Sequence, residues 1–389
     1  MLKRLAIESG IATVVVFLAM WLISLIPVNL SALQPLEQAI NAIDIMDIYY
    51  AQVNTDRTEI SQDVVLVNIG NADRYQIARL IEAIGKGQPA AIGVDVFFAQ
   101  PRDAFPDSCL AHAVNHHPVV LGAAYQTEQK TLRTSFDALV PKAVGYTNFI
   151  GKDRQTETIR SFKPMVNTPH GTYASFAWQL ARMARPKGMA SAKVNPVQDI
   201  RYIGDYLCFR HYETADVLGG QVDPSTFAGK VVIVGYAGRQ FGDPNTVEDR
   251  FFTPKNPQIS GRSFPDMDGM VIHANAVEML LSGKTITRTG VWFKWLFAIV
   301  VTYLHVMFYM YLMVKIDYYF DPLALLLQIA SSLLIVFILF YVYHHFQLRI
   351  QVLGGLVGIA FAVEILFVYE ALAHTIFKKF DIKSIVIDA

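Results

Sequence analysis

Four long apolar runs frame this chain, one near its start and three near its end. Each has about 20 residues or more, the length that a helix needs to cross roughly 30 Å of hydrocarbon. The runs are Ile11 to Leu30, Trp295 to Val314, Pro322 to Tyr343 and Ile350 to about Phe377. The pattern therefore predicts four transmembrane α-helices, one before and three after a large segment of mixed polarity.

Basic residues near the ends of these runs predict the orientation, because cytoplasmic loops keep an excess of Lys and Arg. Those assigned to the cytoplasm are Lys3, Arg4, Lys315, Lys378, Lys379 and Lys383. Both termini are therefore expected in the cytoplasm of a bacterium, with Ser31 to Gly290 in the periplasm and the helices in the cytoplasmic (inner) membrane. The first run is longer than the apolar part of a typical secretory signal, which indicates an uncleaved anchor.

This organisation divides the chain into four parts. They are an N-terminal anchor (1–30), a periplasmic domain (31–290), a three-helix membrane bundle (291–377) and a cytoplasmic tail (378–389). About 12 residues follow the last helix, too few for an effector module. We therefore expect any effector to be a separate chain.

The exported segment alternates short β-branched runs with helical patterns, which predicts an α/β domain with a largely parallel sheet. The predicted strands are Asp63 to Gly70, Ala90 to Phe98, His117 to Tyr125, Ile200 to Asp205 and Gly229 to Gly238. A final amphipathic helix is predicted over Val271 to Gly283, just before the second membrane helix.

Composition fits a membrane protein that carries a polar domain. The chain is 53% hydrophobic, its mean hydropathy is +0.33 and its net charge is +0. The neutral balance argues against nucleic acid, whose binding depends on clustered Lys and Arg. Cys109 and Cys208 both lie in the exported segment, where pairing and two buried thiols remain alternatives.

Polar side chains follow the predicted strands, where ligands bind in open parallel sheets. The candidates are Asn68, Asn71, Asp73, Asp95, Tyr236, Arg239, Asp243, His273 and Asn275, with Asp268 nearby. One interpretation is a polar pocket for a small periplasmic ligand. The alternative is that these side chains cap helices and satisfy turns.

Motifs for catalysis and metal binding are missing from the sequence. There is no HExxH pattern, no paired-Cys spacing for zinc and no GxSxG turn. We therefore expect no catalytic residue, no metal site and no cofactor, and a protein that is not an enzyme.

The predicted membrane helices contain ionisable residues, which are costly at this depth and mark functional positions by default. Their polar side chains are His305, Ser331, Ser332, Glu364, Glu370 and His374, and His305 and Glu364 stand near the centres of their helices. They could form an internal pair or a contact with a partner subunit, or they could be interhelical contacts worth about 0.6 kcal/mol each. A stripe of small residues, Gly354, Gly358 and Ala362, permits close packing against a neighbouring helix.

Several segments in order carry a family resemblance. They are AIGVDVFF (91–98), FAGKVVIVG (227–235), Asp243, Thr253-Pro254 and GMVIHANAVEMLLSG (269–283). The chain resembles the CHASE-type-two family of extracellular sensory domains from about Asp44 to Arg288, and the flanking helices are similar too. The resemblance implies a sensory role. The chain departs from the family at the end of the first strand, where Asn68, Ile69 and Gly70 stand in place of the usual acidic residues.

Two functions follow as expectations. The first is an inner-membrane receptor subunit that binds a ligand or envelope protein and acts through a separate partner. The second is a structural or assembly subunit of an envelope complex without a sensing role. An enclosed polar pocket at the strand ends would favour sensing, whereas an exposed apolar patch would favour assembly. The expected partners are the lipid bilayer and other membrane or periplasmic proteins.

Overall fold

A computed structural model describes residues 2–25, 45–53, 59–149, 158–190, 195–256, 264–316, 319–377 and 384–385. The chain forms two compact units, residues 42–286 and residues 1–41 with 287–389. Parts of three predictions lie outside the described residues: the end of the first apolar run, the start of the periplasmic domain, and the basic residues Lys378, Lys379 and Lys383.

The elements are named in chain order over these residues. The helices are α1 (Leu2–Ser24), α2 (Ile45–Ile48), α3 (Arg74–Lys86), α4 (Ala104–His116), α5 (Phe176–Ala184), α6 (Pro186–Ala190), α7 (Thr214–Leu218), α8 (Gly269–Ser282), α9 (Val291–Lys315), α10 (Phe320–Phe346) and α11 (Leu353–Leu372). The strands are β1 (Val64–Asn68), β2 (Ala91–Asp95), β3 (Val119–Gln126), β4 (Thr131–Arg133), β5 (Ala143–Tyr146), β6 (Ser161–Phe162), β7 (Met165–Thr168), β8 (Gly171–Ala174), β9 (Gln198–Asp199), β10 (Arg210–Glu213), β11 (Val231–Gly235), β12 (Arg250–Phe251), β13 (Met267–Asp268), β14 (Thr287–Arg288) and β15 (Leu348–Arg349).

The main sheet of the domain has the strand order β10-β1-β11-β2-β3-β4, and β5 also pairs with β3. All of these pairings are parallel except that of β3 with β4. The predicted mixed α/β fold is confirmed, with a sheet that is parallel in part. Its parallel strands end at one edge, which the candidate site residues were expected to line.

The core explains why the central strands are continuous apolar runs. Val65, Val67, Val232 and Val234 face a layer made with α3 and α4, and all four are fully buried. Helices α5 and α8 pack on the sheet from the other side, and α8 is buried along almost its whole length. Strands covered on both faces lose the alternation of polar and apolar residues, as observed here.

The predicted strand over Ile200 to Asp205 is wrong. Asn275 on α8 accepts hydrogen bonds from the backbone N–H groups of Ile203 (2.8 Å) and Gly204 (3.4 Å). The Asn275 side chain therefore accepts hydrogen bonds from N–H groups that a β-strand would donate to a neighbouring strand. The strand that pairs with β1 comes later, at Arg210–Glu213. The sequence analysis did not predict a strand there.

The two cysteines of the domain are not joined by a disulfide. Cys109 on α4 is half-buried, whereas Cys208 is completely buried. The Sγ atom of Cys208 lies where a side chain on Gly204 would have to be, since a Cβ there would come within 2.3 Å of it. Cys208 therefore fills space in the domain core.

In the part of the chain that the structure describes, four helices are long and apolar enough to cross a membrane, and they lie at both ends of the chain. They are Leu2–Ile23, Val291–Lys315, Phe320–Phe346 and Leu353–Thr375. The predicted start of the first helix at Ile11 is wrong, because the helix begins at Leu2 and includes Lys3 and Arg4. Leu5, Ser9 and Ala12 are buried at helical spacing, so packing extends the helix toward the N-terminus.

Helices α1, α9 and α11 form the centre of the membrane unit. Val16, Val306, Met310, Ala362 and Leu366 belong to its apolar core. Helix α10 contributes few buried residues, among them Phe320 and Ala324. Strand β14 pairs in parallel with β15, so the segments before α9 and before α11 are joined by backbone hydrogen bonds.

Candidate functional site

Asn68 ends β1 and is completely buried at the carboxyl edge of the sheet. Its amide nitrogen donates to Glu213 Oε2 (2.9 Å) and to the carbonyl of Gly238 (3.1 Å). Its amide oxygen accepts from the N–H groups of Gly70 (3.0 Å) and Ala237 (2.9 Å). An amide group can make four such bonds, so Asn68 has no remaining capacity for a ligand. It holds the loops after β1 and β11 together.

Glu213, which sequence reasoning missed, completes this arrangement. It ends β10, and its Oε1 accepts from the backbone N–H of Phe241 (2.8 Å) while Oε2 accepts from Asn68. The loop after β11 is therefore held at two points. If the sequence analysis had predicted β10, Glu213 would have been a candidate, because it is the last residue of that strand.

Asn71 and Asp73 are exposed; Asp73 is the N-cap residue of α3, whereas Asn71 lies in the turn before it. Asp73 accepts a hydrogen bond from the N–H of Gln76 (2.8 Å), and the Gln76 side chain accepts from the N–H of Asp73 (3.0 Å). This reciprocal capping box satisfies two N–H groups that the helix itself cannot pair. The capping interpretation therefore accounts for Asp73.

The loop after β11 carries Tyr236, Arg239 and Asp243. Arg239 is exposed. The pKa of Tyr236 is raised, mainly by burial and next by the nearby Glu248 carboxylate. Asp243 accepts from the N–H of Asn245 (2.9 Å), and this bond is the main reason that its pKa is lowered. Of these three residues, Asp243 lines the cavity described next.

A cavity of about 80 Å³ lies at the N-terminal end of α8, beside the loop after β11 and the turn at Tyr206. We call it the α8 cavity. Its polar lining residues are Asp205, Tyr206, Asp243, Arg250, Asp266 and Asp268. At roughly 30 Å³ per water molecule, it has room for two or three waters or for a small polar group.

The charges of the α8 cavity are unequal, with four carboxyl groups and one guanidinium. Arg250 Nε lies 3.5 Å from Asp268 Oδ1 and forms an ion pair with it. Burial raises the pKa of Asp266 to about 6, although hydrogen bonds from Thr253 oppose the shift. Burial also raises the pKa of Asp268. The lining therefore favours an occupant that donates hydrogen bonds or carries positive charge.

Asp95 and His273 form a second polar group at the same edge of the sheet. His273 Nε2 is 4.0 Å from Asp95 Oδ2, and their side chains are 8% and 13% exposed. Phe149 stacks on the imidazole ring at 5.0 Å, and Phe176 meets its edge. Burial raises the pKa of Asp95 to about 7 and lowers that of His273 to about 4. Between about pH 4 and about pH 7 the pair therefore holds one proton, which is on Asp95.

Asn275 is completely buried on α8 and is saturated like Asn68. Besides accepting from Ile203 and Gly204, its amide nitrogen donates to the carbonyls of Gly204 and Val271, both at 2.9 Å. The bracing interpretation accounts for this residue. The structure thus makes Asn68, Asp73 and Asn275 caps and braces, places Asp243 in the α8 cavity and pairs Asp95 with His273. It brings Asn71, Tyr236 and Arg239 into none of these groups.

The polar residues of the membrane unit do not converge on one site. His305 Nδ1 bonds within its own helix to the carbonyl of Val301 (2.8 Å), and Ser331 donates to the carbonyl of Gln328 (3.2 Å). Ser332 and Glu370 are half-buried, and His374 is exposed. Glu364 is exposed and has no hydrogen bond or ion pair with any residue that the structure describes, so it is not paired with His305.

Glu8 is a buried carboxylate of the membrane unit that sequence reasoning missed. It accepts hydrogen bonds from Tyr369 Oη (3.2 Å), Ser384 Oγ (2.7 Å) and the N–H of Ile385 (2.9 Å). The predicted start of the first helix at Ile11 left Glu8 outside it. A helical pattern traced back to Leu5 was the signal that could have found it.

Comparison with known proteins adds one finding. The family model described as CHASE2 domain matches residues 12–314. No curated protein and no solved structure matches the chain. Among the described residues, no group of three or more His, Cys, Asp or Glu is placed to hold a metal ion.

Proposed function

This chain belongs to the CHASE2 domain family of extracellular sensory domains, and on that premise we propose that it is a membrane receptor subunit which senses a small ligand. In this proposal its α/β domain binds a small, cationic or hydrogen-bond-donating ligand in the α8 cavity. It has no catalytic activity of its own and acts through a separate partner protein.

The polar, partly enclosed cavity at the carboxyl edge of the sheet carries this proposal. It is the position where parallel α/β sheets bind ligands. The residues that close it come from separate parts of the chain, the turn at Tyr206, the loop after β11 and the start of α8. A ligand bridging these parts would favour one arrangement of them over others.

Helix α8 connects the cavity to the rest of the chain. Asp268 and Val271 at its N-terminal end line the cavity. Near its C-terminal end, Arg185 donates to the carbonyl of Leu281 (2.6 Å) and forms an ion pair with Asp63 (2.9 Å). Only residues 283–290 separate α8 from the membrane helix α9. We propose that ligand binding shifts α8 and that the shift reaches α9 through this short connection.

Thermal unfolding of the detergent-solubilised full chain tests the ligand class. Trp178 is the one tryptophan between residues 31 and 290, so its fluorescence reports on the domain in a chain whose Trp21, Trp292 and Trp295 are replaced by Phe. Ammonium, methylammonium, ethanolamine, Mg²⁺ and Ca²⁺ serve as probes. A probe at about 100 times its Kd should raise the unfolding midpoint by about 5–10 °C.

Two variants locate the effect. Ala237→Leu should fill the cavity and abolish the shift, because Ala237 is buried in its lining. Ala111→Leu, in a separate surface groove, is the matched control and should respond like the parent. A parent that responds to no probe, or a shift that survives Ala237→Leu, contradicts the proposed ligand site.

The proposed topology places one membrane span before the domain and three after it, with both termini in the cytoplasm of a bacterium and the domain in the periplasm. The test replaces Cys109 and Cys208 by Ser and introduces Thr127→Cys in the exposed turn between β3 and β4. An impermeant thiol reagent should label this cysteine in intact spheroplasts. Protection until the membrane is opened would contradict the topology.

The alternative function is a structural or assembly subunit that binds another envelope protein without sensing. One observation favours it: Tyr75 and Phe105 form a ring pair 5.5 Å apart, and Phe105 is 66% exposed. Exposed aromatic pairs are typical of protein-binding surfaces. Phe105→Ala should then reduce recovery of companion proteins from native membranes, whereas Ala237→Leu should not.

A further inference from the structure

Two faces of α11 differ in what they contact. Its small residues contact α9: a Cβ on Gly358 would lie 2.0 Å from Thr302 Oγ1, and one on Gly355 would lie 3.2 Å from Phe297. The small-residue stripe expected to receive a neighbouring helix is therefore filled by a helix of this chain. It leaves no room there for a partner protein.

Glu364 lies on a different face of α11, which is exposed. It is the twelfth residue of the 23-residue span Leu353–Thr375, and therefore stands at mid-membrane depth. Ala360 and Val368, one helical turn away on either side, are exposed too. We call these three residues the Glu364 face.

A carboxylate cannot remain uncompensated at this depth. Insertion of an acidic residue at the centre of a membrane helix is strongly unfavourable, and such residues normally pair with another group or line a polar path. Glu364 has no hydrogen bond or ion pair with the described part of this chain. The carboxylate therefore requires a group that the described part of the chain does not place beside it.

Among the described residues, the membrane helices place no permanent cation at this depth, because Lys3 and Arg4 lie in the first turn of α1. Lys294 and Lys315 lie at the two ends of α9, and α10 and α11 contain neither Lys nor Arg. A second copy would bring the same shortage. His305, which is near this depth, has Nδ1 bonded within its own helix.

We propose that the Glu364 face binds a transmembrane helix of a different protein that carries Lys or Arg at mid-membrane depth. Charge complementarity identifies the partner, because a guanidinium or ammonium group provides the compensation that Glu364 lacks. This inference rests on the partner-dependent action proposed above and adds the surface and the chemistry of the contact. A polar pair buried between helices also fixes their register.

Site-specific photocrosslinking of the full chain in native membranes tests the proposal. A photoreactive amino acid is placed at Ala360 or Val368 on the Glu364 face, and at Leu333 on the outward face of α10 as the positional control. The adduct is mapped by peptide mass spectrometry. We expect a peptide from a different protein whose transmembrane segment contains Lys or Arg, formed from positions 360 and 368 but not from 333.

Substitution of the carboxylate makes the test specific. Glu364→Gln preserves shape and should reduce adduct yield by at least about tenfold, since breaking a desolvated charge pair weakens binding by that much or more. Glu370→Gln on the same helix is the matched control and should not change the yield. Glu364→Lys combined with Lys→Glu or Arg→Glu in the mapped partner should restore it.

Three outcomes would overturn the proposal: adducts only between two copies of this chain, adducts only with lipid, or a yield unaffected by Glu364→Gln. Loss of expression is separated from loss of contact by dividing the adduct yield by the amount of the chain in the membrane, which Glu364→Gln should leave unchanged. The ligand response in the α8 cavity is measured without a partner. Failure of the Glu364 contact is therefore distinguishable from failure of the sensing function.

Discussion

Replacement of Asp95 by Asn tests the buried Asp95–His273 pair through the pH dependence of stability. Asn has nearly the same shape as Asp but cannot ionise. The substitution therefore removes the proton-binding behaviour of Asp95 with little change in packing. His273→Gln is the matched variant on the other side of the pair.

The two residues contribute to stability with opposite dependence on pH. Burial raises the pKa of Asp95 from 3.8 to about 7, so its contribution is complete below about pH 3.8 and is lost as the pH rises through about 7. Burial lowers the pKa of His273 from 6.5 to about 4. Its contribution is complete above about pH 6.5 and is lost as the pH falls through about 4.

The magnitudes follow from these values. A tenfold change in proton affinity is worth about 1.4 kcal/mol. Between about pH 4.5 and about pH 6.5, the contribution of Asp95 falls by about 2 kcal/mol and that of His273 rises by about 2 kcal/mol. In the parent the two nearly cancel, because folded and unfolded chains each hold one proton on the pair across this range.

Chemical denaturation of the detergent-solubilised chain, followed by Trp178 fluorescence, measures the effect. Over this pH range the stability of Asp95→Asn, relative to the parent, should rise by about 2 kcal/mol, and that of His273→Gln should fall by about the same amount. Comparison with the parent removes the contributions of other titrating groups. Two variant profiles that run parallel to the parent would refute the assigned burial of the pair.

Three further predictions concern packing. Val232→Asp should destabilise the domain by more than about 4 kcal/mol, because it buries an unpaired charge in a central strand, and a Trp178 melt equal to that of the parent would contradict this. Gly358→Val should disrupt the contact of α11 with α9, because a Cβ at position 358 collides with Thr302. Adding Thr302→Ala to this variant should partly restore its thermal stability. Glu8→Ala should remove three hydrogen bonds to a buried carboxylate, cost about 1–3 kcal/mol and speed proteolysis of a C-terminal tag. Unchanged cleavage would argue against the Glu8 contact.

Much of the fold was predictable because it depends on local pattern. Runs of about 20 apolar residues predicted four membrane-compatible helices, and the continuous apolar segments at Val64–Asn68 and Val231–Gly235 predicted buried strands. The family resemblance depended on residues near those strands and on the last helix of the domain. These features repeat over many residues, so a single unusual residue does not hide them.

The failures came where one distant residue decides the structure. The segment at Ile200 to Asp205 looks like a strand, yet Asn275 takes its backbone groups from about 70 positions away in the sequence. Burial of Leu5 and Ala12 against helices from the other end of the chain extends the first helix beyond its apolar run. The first interaction leaves no local mark in the sequence, whereas the second leaves only the helical spacing of Leu5, Ser9 and Ala12.

The candidate site divides in the same way. The sequence by itself determined that polar residues follow the strands and that Glu364 stands at the centre of an apolar helix. Only the tertiary structure decided that Asn68 and Asn275 are saturated, that Glu213 and Glu8 matter, and that Asp95 meets His273. Composition and order fix which groups a chain possesses, whereas burial and hydrogen-bond partners depend on groups brought together from distant positions.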